Sequence, residues 1–222
     1  MKEPVLFSWS GGKDSSLALH RLRQEGKYRV VALLTVLGRD YDRISHHGVR
    51  SALLEQQADA LGLSLEPVYL SMDATNKEYE AKMRELLLGY RDRGVRSVVF
   101  GDIFLEDLRK YREEKLAQVD MKGLFPLWKE DTAALVRRFV ALGFKAVLCC
   151  VNPRLLAPSF AGREIDQQLI ADLPSTVDPC GENGEFHSFV YEGPIFKKRI
   201  DHRIGEVVLR PGGNYFCDLL PV

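Results

Sequence analysis

The first hundred residues alternate short apolar runs with amphipathic stretches, and this alternation narrows the fold more than any other feature. PVLFS (4–8), VVALLTV (30–36), LEPVYL (65–70) and RSVVFGD (96–102) are the apolar runs. Runs this short and this evenly apolar are what strands buried on both faces require. Between them, Leu17, Leu19, His20 and Leu22 fall near helical spacing, with Asp14 and Ser15 available as N-terminal caps. VRSALLEQQADALG (49–62) is amphipathic and closes on Gly62, and a long charged amphipathic stretch from Thr75 to about Arg93 stops at Gly94. The resulting βαβαβαβ order predicts an α/β fold, a parallel sheet covered by helices.

Downstream the pattern loosens. The spacing predicts a helix from Glu106 to about Gln118, a turn through GLFPLW (123–128), a helix over 132–142 and a buried strand at KAVLCCV (145–151). A short helix around Asp166 to Asp172, a long Pro- and Gly-rich loop and a strand at HSFVY (187–191) follow. The change of texture places a boundary near residue 125, giving segments 1–125 and 126–222, the second expected to form a smaller α+β domain. There is no internal repeat.

With 45% hydrophobic and 28% charged residues, a 222-residue chain can bury a core. Its 31 basic and 31 acidic residues balance, which removes the usual electrostatic footprint of a nucleic-acid partner. Arg109, Lys110 and Arg112, and Lys197, Lys198 and Arg199, read as solvated surface. No apolar run is long enough to cross a bilayer, and MKEPVLFSWSGG lacks a signal-peptide pattern, so a cytoplasmic protein with no membrane partner is expected. A homo-oligomer is compatible with this composition. Cys149, Cys150, Cys180 and Cys217 match no zinc spacing and read as reduced thiols.

Chemistry concentrates at three places. Ser10-Gly11-Gly12-Lys13-Asp14-Ser15 lies between the first strand and first helix, where unpaired N–H groups and the helix dipole favour an anion. The glycines admit close approach of phosphate oxygens, the serines and Lys13 add donors, and Asp14 suits loop orientation or a phosphate-bound Mg²⁺. The loop is neither GxxxxGK[ST] nor GxGxxG. Gly101 and Asp102 follow the fourth strand, on the same carboxyl-end rim, and Thr35 belongs there as a residue for adenine or ribose. Glu182-Asn183-Gly184-Glu185-Phe186-His187 gathers two carboxylates and an imidazole that could bind Mg²⁺, handle protons or grip a polar substrate, or form a solvated loop.

SGGKDS after the first strand of an α/β chain resembles the pyrophosphate loop of the N-type ATP pyrophosphatases, the PP-loop enzymes. These cleave ATP between the α and β phosphates and have an adenine nucleotide alpha hydrolase-like (HUP, Rossmann-like) fold of five parallel strands sandwiched by helices. SGGKDS, GDIF (101–104), PLW (126–128) and GENGEFH (181–187) together resemble the diphthine–ammonia ligase family, from Val5 to about Ile195. The resemblance implies an ATP-dependent ligase of diphthamide biosynthesis. ATP adenylates a carboxylate, and ammonia then displaces AMP; the acceptor is diphthine of elongation factor 2, or another acid if the source is bacterial. It implies a pyrophosphate and nucleotide site at Ser10, Gly11, Gly12, Lys13, Asp14 and Ser15, with Thr35, Gly101 and Asp102 on the rim. Lys13, Asp14, Glu185 and His187 are the catalytic candidates, Asp14 and Glu185 the Mg²⁺ candidates, and Glu182, Asn183, Arg109 and Arg112 the substrate candidates.

After GDIF the family usually carries a Ser-x-Tyr-Gln-type stretch, whereas this chain has Leu105, Asp107 and Leu108 there. That departure bears on the acceptor more than on ATP. Two other readings stand beside the ligase. One is a different AMP-forming PP-loop enzyme, such as a tRNA thiolase or a small-acid synthase; the other is a non-catalytic adenine-nucleotide-binding protein.

Overall fold

The computed structural model describes residues 1–44, 47–71, 73–210 and 212–222. Strand β1 (Glu3–Ser8) leads through the glycine loop into helix α1 (Lys13–Glu25), followed by β2 (Tyr28–Gly38), the two-residue β3 (Arg43–Ile44), α2 (Ser51–Leu61) and β4 (Leu65–Leu70). Then come α3 (Asn76–Asp92), β5 (Ser97–Val99), α4 (Glu106–Ala117) and β6 (Lys122–Leu124). The remainder holds α5 (Thr132–Ala141), β7 (Lys145–Val151), α6 (Gln167–Asp172), β8 (Phe186–Glu192), β9 (His202–Leu209) and β10 (Tyr215–Pro221). Among the described residues, no helix is long and apolar enough to cross a membrane.

The predicted five parallel strands are present in the order β4-β2-β1-β5-β6, with antiparallel β3 added along β2. Alternation along β1 explains the two covered faces. Val5 and Phe7 pack with Leu17, Leu19 and Leu22 of α1 and Leu54 and Ala58 of α2 in one core. Leu6 turns the other way, to Leu87 and Tyr90 of α3 and Leu116 of α4. The chain leaves β1 toward β2 on one side and later places β5 on the other, so the crevice past the carboxyl end of β1 is the topological switch point.

Local chemistry sets several helix ends. Thr75 and Glu78 form a reciprocal capping box on α3, Asp131 and Asp166 cap α5 and α6, and Gly62 closes α2. At α1 the expectation is corrected: Gly12 is the N-cap with no side-chain cap, and Asp14 and Ser15 lie within the first turn. One strand is added to the expected set. The fifth parallel strand is the three-residue β6, which overlaps the start of the segment expected to turn. KAVLCCV forms the buried strand expected there, β7, within a second, antiparallel sheet ordered β8-β7-β10-β9.

The two sheets meet at the glycine loop. Val190 N–H donates to the Gly11 carbonyl at 2.9 Å, and Lys13 N–H donates to Ser188 Oγ at 3.1 Å. One buried core continues from Val5 and Phe7 through Leu135 and Phe139 to Leu148 and Val190. All four cysteines are free and buried, and burial pushes the thiols of Cys150 and Cys180 up to about 12.

Candidate active site

Internal hydrogen bonds shape the glycine loop. Ser10 Oγ accepts from Gly12 N–H at 3.3 Å, and Ser15 Oγ donates to the Gly12 carbonyl at 2.9 Å. Gly11 has φ +73, and a Cβ there would lie 2.7 Å from Gln57 Oε1, so the position requires glycine twice over. Gln57 is fully buried on α2. Its Oε1 accepts from Trp9 Nε1 at 2.8 Å, and its Nε2 donates to the carbonyls of Gly11 at 3.0 Å and Val190 at 2.6 Å. One amide thus ties the end of β1, the loop and β8 together. Sequence reasoning passed over Gln57; the available signal was a glutamine on the apolar face of an amphipathic helix.

Lys13 is only 2% exposed. Its Nζ donates to both Asp14 carboxylate oxygens, at 2.7 and 2.8 Å, and to the Cys180 carbonyl. Burial works against the ammonium, but the charge of Asp14, aided by Cys180 and Glu182, outweighs it and raises the pKa, so Lys13 stays charged. Burial raises the Asp14 pKa despite Lys13, and raises that of Asp102 despite Arg112. Glu182 is pushed up to about 7 by burial and then by the Asp14 charge. Asp14, Asp102 and Glu182 therefore share one poorly solvated rim, and Asp14 disfavours the charged form of the other two.

The other rim residues follow from the sheet. Gly101 backs onto the first turn of α1, where a Cβ would stand 2.9 Å from Ser15 N. Next to it, Asp102 Oδ2 lies 2.8 Å from Arg112 Nε, and that guanidinium lies 4.3 Å from the centre of the Phe100 ring. Thr35 is buried and lines the same cavity, although β2 runs three residues beyond it. The cavity measures about 1400 Å³ and reaches from the loop to the facing sides of α3 and α4.

Two acidic side chains organise the loop after α6. Asp178 accepts from the N–H groups of Cys180 (2.9 Å) and Glu182 (3.2 Å) and from Thr132 Oγ1 (2.7 Å). Glu185, 2% exposed, accepts from Asp178 N–H (2.9 Å), Asn183 N–H (2.9 Å) and Asn183 Nδ2 (3.2 Å). Both Glu185 oxygens thus accept from the loop's own donors, and the residue lies outside the cavity lining. Asn183 is likewise bound to Glu185 and outside the cavity lining. Arg109 is also outside it. Its Nε pairs with Glu113 at 2.8 Å, and its guanidinium stacks on Phe125 and Trp128 at 4.7 and 4.5 Å.

The structure thus gathers Ser10, Gly12, Lys13, Asp14, Ser15, Thr35, Gly101, Asp102, Arg112, Glu182 and His187 around one cavity. It adds His47, whose ring stacks on His187 with centres 4.4 Å apart and planes 26° apart. Nothing local in the sequence marks His47, because its partner lies 140 residues away. Among the described residues, no group of three or more His, Cys, Asp or Glu side chains is drawn together as a metal cage.

The turn bearing His47 is clamped from the second sheet. Asp218 of β10 accepts from Arg43 Nη1 at 2.8 Å and Arg50 Nη2 at 2.7 Å. Burial alone would raise its pKa, but the hydrogen bonds from Arg50 and Arg43 prevail and hold it down to about 2. A depressed carboxylate pKa contributes stability that is present above the ordinary value near 3.8 and lost as pH falls through about 2. Asp218→Asn should therefore lower the unfolding free energy measured in urea at pH 7 by about 1 kcal/mol after allowing for solvent screening. The deficit should close as both proteins are titrated toward pH 2; a deficit independent of pH would exclude the charge as its cause.

Sequence comparisons agree with this geometry. Residues 1–123 match the family described as Diphthamide synthase N-terminal domain, and residues 131–210 match Diphthamide synthase C-terminal domain. Proteins named diphthine--ammonia ligase are similar along most of the chain. The Homo sapiens protein is 26% identical, covering 90% of this chain and 83% of its own length. The Danio rerio protein is 28% identical, covering 86% and 83%. The Schizosaccharomyces pombe protein is 26% identical over 95% of this chain, which spans only 38% of that longer relative. A glycine loop at the sheet's switch point, a second sheet that locks it, and these two matches over nearly the whole chain lead to one assignment: the chain belongs to the diphthamide synthase family.

Proposed function

We propose that the chain is an ATP-dependent ligase that adenylates a carboxylate, releasing pyrophosphate, and passes the acyl group to ammonia. The observation that carries this reading is the glycine loop at the N-terminus of α1 facing Asp102, Glu182 and His187 across one cavity. In it, residues 1–125 supply the nucleotide side and residues 126–222 the substrate side.

A carboxylate is a poor electrophile, and transfer of AMP to its oxygen creates a leaving group that ammonia can displace. The loop's part is to position the α-phosphate and meet its developing charge with N–H groups preorganised at the helix terminus. Lys13 holds the loop's charge in place through Asp14 and Cys180. In this reading His187, at the cavity wall, takes the proton that ammonium must lose before attack. Hard carboxylate oxygens with raised pKa values fit a divalent cation, and Mg²⁺ takes one or two carboxylates plus substrate phosphates rather than a protein cage. Asp14 and Asp102 would hold it, and when bound it neutralises phosphate charge. Leu105 and Leu108 line the cavity, and their apolar surface stands where the family resemblance leads one to expect polar residues. This favours an acceptor other than diphthine.

The test is product identity from α-³²P-labelled ATP with Mg²⁺ and ammonium. Diphthine-bearing elongation factor 2 and small-molecule extract of the source organism serve as separate acceptors. AMP that forms only when an acceptor is present is expected, and the productive arm names the acceptor class. ADP as the product would exclude the ligase. Turnover with glutamine but not ammonium would show that ammonia is not taken up free.

A further inference from the structure

Strand β9 forms the outer edge of the second sheet. It pairs with β10 and, among the described residues, with no other strand. Such an edge presents N–H and C=O groups that another strand can take up. β9 also carries three large apolar side chains, Ile204, Val207 and Leu209, which are 55%, 43% and 58% exposed. Ile204 lies opposite Leu219, Val207 opposite Cys217 and Leu209 opposite Tyr215, alternate residues of β10 that share a face. The three therefore form one stripe. Leu219 and Cys217 are buried with Val147 and Phe189, so the stripe extends that core past the edge of the sheet.

A bulge makes the stripe possible. Between the Ile204–Leu219 and Val207–Cys217 pairs, β9 has two residues, Gly205 and Glu206, where β10 has only Asp218. A strictly alternating strand of eight residues, laid antiparallel on its own copy end to end, would set every side chain opposite one from the wrong face. The extra residue removes that conflict. His202, Ile204, Val207 and Leu209 now stand on one face, and Arg203, Gly205, Glu206 and Val208 on the other. This pattern reads the same in both directions.

We infer that β9 docks antiparallel on β9 of a second copy of this chain, joining two four-stranded sheets into one. In this pairing Ile204 meets Val207 of the other copy, and His202 meets Leu209. The exposed Arg203 lies diagonal to the exposed Glu206, within reach of a long side chain. Gly205 stands opposite Glu206 and leaves it room to turn toward that arginine. The contact is self-complementary, so each of these pairs occurs twice.

Sedimentation velocity from about 1 to 500 μM tests this, with an expected monomer–dimer Kd of about 10–100 μM for a contact smaller than a standard interface. Glu206→Arg sets like charges side by side and should weaken the dimer about tenfold. Combining it with Arg203→Glu exchanges the two charges and should restore the Kd to within about threefold of wild type. Val207→Lys, which puts a charge in the stripe, should weaken the dimer at least about tenfold. A monomer across the whole range would overturn the proposal. So would a dimer indifferent to Val207→Lys, which would use another face, or a Glu206→Arg defect that the charge exchange does not repair. Circular dichroism checks that each variant, changed only at exposed positions, keeps the wild-type fold.

Discussion

Asp14→Asn is expected to reduce AMP formation from ATP at least about 100-fold while leaving the fold intact, the scale seen when one preorganised charge-stabilising group is lost. The carboxylate has two roles. It accepts both short hydrogen bonds from Lys13 Nζ, and it is a partly exposed acid in the first turn of α1, beside the glycine loop. Asparagine keeps one acceptor oxygen for Lys13 but removes the charge, so chemistry suffers more than stability. Asp14→Ala removes the acceptor too and leaves the 2%-exposed ammonium with the Cys180 carbonyl and the charge of Glu182, without its hydrogen-bonded counter-ion. Breaking a buried pair from one side costs about 3–5 kcal/mol, so the alanine variant should also unfold at clearly lower urea. The two variants therefore separate catalysis from structure. Measured side by side for AMP release and urea midpoint, near wild-type turnover in Asp14→Asn would remove the loop from the chemistry.

What could be read from the sequence was what local pattern encodes. Val5, Phe7 and the β2 run are continuously apolar because both faces are covered, and Gly62, Thr75 and Glu78 mark helix ends through their own backbone chemistry. The loop was legible for the same reason: glycines and a strand-to-helix junction make an anion site wherever they occur. The strand β6 was not, since three residues, Lys122–Leu124 with a central glycine, carry no period. The β9 strand was hidden by its exposure, with Ile204, Val207 and Leu209 left partly in solvent and no alternation to betray a buried face. Site residues divided along the same line. Lys13, Asp14 and Asp102 sit where their motifs put them, while His47 matters through partners distant in sequence. Glu185 illustrates the limit from the other side. Its motif drew attention correctly, but only the folded loop shows that its carboxylate serves the N–H groups of Asp178 and Asn183.

Gln57 is the residue whose loss should destabilise the protein most for so small a change in volume. Gln57→Leu keeps the approximate shape but takes Trp9 Nε1's acceptor and the donor shared by the carbonyls of Gly11 and Val190. The Val190 N–H to Gly11 carbonyl bond partly compensates the latter. An unsatisfied buried group costs about 1–3 kcal/mol, so a net loss of about 4 kcal/mol is expected after crediting the added apolar burial. For a chain of this size that corresponds to a fall of about 10 °C in Tm. Ligand binding should fall with it, because Gly11 would lose the amide that fixes its left-handed turn against β8. Glu55→Leu, on the exposed side of the same helix, should change stability by less than about 0.5 kcal/mol. Thermal melts of both variants, with and without Mg-ATP, measure the difference. If the two melt together, the Gln57 amide does not hold the loop. If Gln57→Leu melts lower and gains less from Mg-ATP than wild type, the buried amide that joins the two sheets also keeps the nucleotide corner in its binding shape.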